Sequence, residues 1–120
     1  MSEARTPATI GEEARHYNRS ALRTALADAR ARLADLVMGL DDAQWRFAYR
    51  SGVNPPIWEA AHVAWFHELW TLRGPHERRA NGFVYAAKPP VNATPDAILD
   101  SARHPHAERW RLPDLTRAEL

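Results

Sequence analysis

The chain has 120 residues, 45% of them hydrophobic and 26% charged, with a formal net charge of +1 and no cysteine. That is one domain or part of one, with the composition of an ordinary globular protein and no disulfides or thiolate metal sites. Interleaved arginines and acids leave no basic stripe for nucleic acid, no apolar run crosses a bilayer and no signal-peptide core opens the chain, so the expectation is a cytoplasmic protein without nucleic-acid or membrane partners.

Residues 1–15 are small and polar without periodicity and read as a disordered arm. The rest, 16–120, reads as one helical domain. Residues 18–40 place Leu22, Leu26, Ala29, Leu33, Leu36, Val37 and Leu40 at spacings of three and four, the stripe of a bundle helix. Asp41 with Gln44 three positions later has capping-box spacing, so one short helical turn is expected, with Trp45 and Phe47 packing down. After the break "SGVNPP", Asn54 is the expected N-cap of a second long helix over 55–73, with Pro55 at its first position and Gly74-Pro75 as its stop.

Residues 76–114 show little periodicity and read as a long loop interrupted by a short helix from Pro95 to Ala102, capped by Thr94. The end, "TRAEL", again has capping-box spacing, Thr116 to Glu119, and announces a further helix where the sequence stops. The fold expected is all-α: two long antiparallel helices, packed through Leu26, Leu33 and Val37 against Trp58, Trp65 and Leu69, a long loop without any sheet, and the start of a third helix. Two helices bury their apolar faces poorly alone, which suggests part of a larger bundle and a partner, or a second copy, for the open helix face.

On a helical wheel of the second helix, His62 lies in the middle of a face shared with Trp58, Trp65, Phe66, Leu69, Leu72 and Arg73, at about 100° per residue. One reading is a buried neutral histidine bonded to an acceptor. The other is a metal ligand projecting from a bundle helix, for which imidazole suits iron, zinc, copper or nickel. His67 is about 140° around from His62 and cannot join it on one ion, whereas Glu59, one turn back, is near enough to join or orient it. His16, His76, His104 and His106 lie off the long helices. The tryptophans read as core, with Trp110 in "ERWRLP" less decided. Arg103, Arg109 and Arg111 around Trp110 are either solvated or a site for a carboxylate.

The stretch "NPPIWEAAHVAWFHELWTLRG", residues 54–74, resembles the second-helix motif of the DinB-like N-terminal domain of ergothioneine-type sulfoxide synthases. With "LDSARHPHAERWRLPD" it is closer still to the selenoneine synthase branch. The resemblance covers roughly residues 20–120. It implies a non-haem Fe(II) enzyme that joins a histidine betaine to a thiol or selenol using oxygen. His62 matches the first iron-ligating histidine, and Arg103 and Arg109 fall in the loop whose arginines bind the thiol or amino-acid substrate. The His-x-x-x-His-x-Glu motif carrying the other ligands is not in this sequence, nor is the domain that supplies the betaine pocket and catalytic tyrosine. The expectation is therefore the first half of a DinB-like bundle that binds no iron tightly and is inactive alone. A metal-free helical interaction module and a non-functional fragment stand as alternatives.

Overall fold

The computed structural model describes residues 7–91 and 96–112. The capping residue expected at Thr94 and the turn expected at Thr116–Glu119 lie outside them. The chain divides into two compact units, Met1–Gly39 and Leu40–Leu120.

The first unit holds two helices. Helix α1 spans Pro7–Ala14, inside the stretch expected to be an unstructured arm. A proline in the first helical turn lacks only an N–H that has no partner there anyway. Past its end, Glu12 pairs with Arg15 at 3.4 Å and with His16 at 3.9 Å, both exposed. Helix α2 spans Arg19–Met38, and Asn18 caps it by accepting from the Ala21 amide at 2.9 Å. No side chain of α2 is buried. Leu22, Leu26, Leu36 and Met38 are exposed, and Leu33 and Val37 half-buried. Trp58, Trp65 and Leu69 belong to a buried cluster of the second unit.

That unit opens with the turn the sequence predicts. In α3, Asp42–Trp45, Asp41 accepts from the Gln44 amide and the Gln44 side chain accepts from the Asp41 amide, each at 2.8 Å. The turn packs Trp45 down to 3% exposure against the next helix, α4, Pro56–Leu72. Pro55, not Asn54, occupies the N-cap position of α4, and no side chain bonds there. Asn54 uses its amide elsewhere. The helix ends before Gly74-Pro75, a cis peptide.

The long loop is not wholly irregular. His76–Arg78 (β1) and Val84–Ala86 (β2) pair antiparallel, with Glu77 opposite Tyr85. The turn between them carries Asn81, which accepts from the Phe83 amide at 3.0 Å, and Gly82 at φ +83°, a conformation glycine takes without steric cost. The expectation of a long loop without any sheet is thus corrected by one small hairpin, while the expected helical fold class stands. The short helix expected at 95–102 is the single turn α5, Asp96–Leu99, and a further turn, α6, spans His106–Arg109.

The core sits where α4 meets α5. Trp58, Ala61, Trp65, Leu69 and Leu99 form one buried cluster, with Ala86, Ile98 and Leu112 packed around it. Burial of a side chain such as Leu99 contributes about 1.5–3 kcal/mol. No helix among the described residues is long and apolar enough to cross a membrane.

Candidate functional site

The site is built on α4. Trp58, His62 and Trp65 stand one turn apart, and each sends a ring N–H to the α5 segment. Trp58 Nε1 donates to the Ile98 carbonyl at 3.0 Å, and Trp65 Nε1 to Asp96 Oδ1 at 2.9 Å. Between them, His62 Nδ1 lies 2.7 Å from the Leu99 carbonyl. The last carbonyls of a helix have no partner within it, and here aromatic side chains of a neighbouring helix supply the donors.

A carbonyl oxygen only accepts, so Nδ1 carries a proton in this contact, and in the neutral form of the ring the lone pair lies on Nε2. The imidazole stacks on Trp58, with centroids 4.6 Å apart and planes 10° apart, and packs against Trp65 at 5.5 Å and Phe66 at 6.0 Å. An imidazole held by one nitrogen on a backbone carbonyl and offering the other is the arrangement metal-ligating histidines use. The buried-acceptor reading of His62 and the ligand reading thus describe two nitrogens of one ring. Glu59 does not orient it: its carboxylate accepts from the Asn54 amide.

Arg103 and Arg109 leave the loop in different directions. Arg103 Nε donates to Asp100 Oδ2 at 3.1 Å, and its guanidinium lies over Phe83 at 4.7 Å and Tyr85 at 5.5 Å, on the hairpin. Burial opposes the Arg103 charge, but Asp100 and Tyr85 together hold its pKa above the ordinary value. The Asn81 hydrogen bond, helped by the charges of Arg103 and Arg79, lowers the Tyr85 phenol pKa. Arg109 instead lies over Trp58 at 4.5 Å. Trp110 donates to the Val53 carbonyl at 2.9 Å and meets the edges of Phe47 and Tyr49. Its role is to pin α6 onto the entry to α4.

Two features escaped the sequence reading. Arg73, taken as a member of the His62 face, is 3% exposed and makes a bidentate pair with Asp96 while also donating to the Lys88 carbonyl at 3.0 Å. Nothing in the local sequence marks it. Asn54 is a hub: its Oδ1 accepts from His106 Nδ1 at 2.8 Å and from Arg109 Nη1 at 2.9 Å while its amide donates to Glu59. Among the described residues no three His, Cys, Asp or Glu side chains gather as a metal site. Among the described residues, the imidazole of His62 could fill a single vertex of a coordination sphere.

These elements define a class: a mostly helical domain whose aromatic helix holds His62 against a neighbouring backbone carbonyl. The chain belongs to the DinB superfamily, whose pattern matches residues 25–120. It is 37% identical over 102 residues to the hercynine oxygenase of Mycolicibacterium thermoresistibile, a match covering 85% of this chain and 21% of that protein. The hercynine oxygenases of Mycobacterium tuberculosis and Mycolicibacterium smegmatis are 36% and 34% identical to it over 93 and 95 residues. The chain spans about a fifth of the length of these relatives. No solved structure matches it.

Proposed function

We propose that this chain is the part of an iron-dependent enzyme of histidine-betaine metabolism that contributes one ligand, the Nε2 nitrogen of His62. The observation that carries this reading is the His62–Leu99 contact, which engages Nδ1 and not Nε2 on a ring braced by Trp58. Identity to hercynine oxygenases over most of the chain supports the same substrate class. Iron(II), when bound, would supply the oxygen-dependent chemistry that joins the betaine carbon to sulfur or selenium. The chain's own part is to hold His62 in one tautomer, keep water from its stacked face, and offer Arg103 to the thiol or selenol substrate.

A single imidazole competes poorly with water for iron, because affinity comes from a complete, pre-oriented ligand set. The chain by itself therefore holds no iron tightly and turns nothing over. Exposed Phe66, Trp70 and Leu72 on α4 give apolar area to whatever completes the site, another chain or a second copy.

A metal-free interaction module is the rival, and it has an observation of its own: His62 already has a structural task in capping Leu99. Anaerobic Fe(II) titration of the 120-residue chain, followed by a product assay with a histidine betaine, a thiol or selenol and oxygen, tests the claim about the chain alone. Weak binding and no turnover are expected. Sub-micromolar iron binding that disappears in His62→Ala, or turnover above the protein-free control, would overturn it.

A further inference from the structure

We propose that Arg109 is a positioning residue for His62, acting through the indole of Trp58. The inference rests on the reading of His62 as a ligand. A hydrogen bond from Nδ1 to the Leu99 carbonyl fixes one atom of the imidazole but leaves the ring free to turn about the N–H···O axis. The face of Trp58, 4.6 Å away and 10° from parallel, removes that freedom. The direction of Nε2 therefore depends on the position of the indole, together with the ring's contacts to Trp65 and Phe66.

Arg109 adds to what holds that position, beside the Trp58 Nε1 bond to the Ile98 carbonyl. Its guanidinium carbon is 4.5 Å from the Trp58 centroid. With Trp58 at 3% exposure, the cation–π attraction acts in a largely desolvated place, where it is strongest. The guanidinium plane is itself held at three nitrogens: Nε donates to the His104 carbonyl at 3.0 Å, Nη1 to Asn54 Oδ1 at 2.9 Å and Nη2 to the Ser101 carbonyl at 3.2 Å. Asn54 is held in turn by His106 and Glu59. Guanidinium and imidazole thus both contact the Trp58 indole, which links α6 to the candidate ligand. The edge of the arginine fork that would grip a substrate carboxylate faces Asn54 and Ser101 instead. Lysine cannot replace it, because a point charge on a flexible stem lacks the planar fork.

The test is proton NMR of the full chain without metal. Stacking under Trp58 displaces the His62 ring protons upfield, and the expected result is loss of that displacement in both Arg109→Gln and Arg109→Lys. The Trp65 indole N–H, bonded to Asp96, serves as the control and should stay in place. An unchanged His62 displacement in either variant with that control intact overturns the proposal. If neither variant folds, the unmodified chain decides: an Overhauser contact between the Arg109 Nε–H and the Trp58 ring supports the proposal, and its absence overturns it. No metal enters the measurement, so its failure leaves the ligand reading standing, and failed iron binding leaves this one standing.

Discussion

Arg73 and Asp96 face each other through two parallel hydrogen bonds, Nη1 to Oδ1 at 2.7 Å and Nη2 to Oδ2 at 2.9 Å, with the Arg73 side chain 4% exposed and that of Asp96 37%. The pair joins the end of α4 to the start of α5, and Trp65 shares the same carboxylate. It is the polar clamp that keeps the Leu99 carbonyl under His62.

The clamp makes stability depend on pH. The Arg73 hydrogen bonds hold the Asp96 carboxyl below the usual carboxylate range, against the opposing effect of burial, and Trp65 adds to the lowering. A depressed carboxyl stabilises the fold fully above its unfolded pKa, about 3.9, and loses that contribution as pH falls through the folded value. Asp96→Asn should cost about 1–3 kcal/mol near neutral pH, the lower part being favoured by the solvent-facing side of the carboxylate. The variant should also lose part of the acid sensitivity. Urea midpoints measured between neutral pH and pH 3 check both, and parallel acid limbs for the two proteins would tell against the clamp.

Trp58→Phe keeps an aromatic face for His62 but removes the donor to the Ile98 carbonyl, which then lacks that partner in the core. The expected loss is about 1–3 kcal/mol. Urea denaturation followed by circular dichroism measures it. A change within a few tenths of a kcal/mol would mean that the ring nitrogens do not hold α5.

How much of this was legible depends on distance along the chain. The cap at Asp41 was readable because donor and acceptor are three residues apart. The His62 face was readable from helical period. Asn54 was misread for the opposite reason. It looks like a cap by its neighbours, but its partners His106 and Arg109 are 52 and 55 residues away, and no local pattern announces them. Arg73 likewise closed a helix on paper, while its partner lies 23 residues on. The hairpin was available and was passed over: Asn81–Gly82 between His76–Arg78 and Val84–Ala86 is a turn signal. Its strands are three residues each, too short to display a two-residue period among the prolines of this stretch.

The hairpin gives a local prediction. Gly82→Ala puts a side chain at φ +83° and should destabilise the turn by about 1 kcal/mol. Amide exchange at Arg79, whose N–H bonds the Phe83 carbonyl at 3.0 Å, should quicken while the α4 amides stay protected. Equal quickening in α4 would show that the hairpin and the helix open together.

The central claim is that His62 supplies a metal ligand within an enzyme of the hercynine oxygenase kind. The most direct measurement is iron content in a graft, in which residues 19–112 of this chain replace the matching segment of the Mycolicibacterium thermoresistibile hercynine oxygenase. The graft should bind Fe(II) stoichiometrically under anaerobic titration, and His62→Ala within it should weaken binding by about 10-fold or more. A His62→Ala graft that folds and holds iron as tightly as the unsubstituted graft would contradict the account.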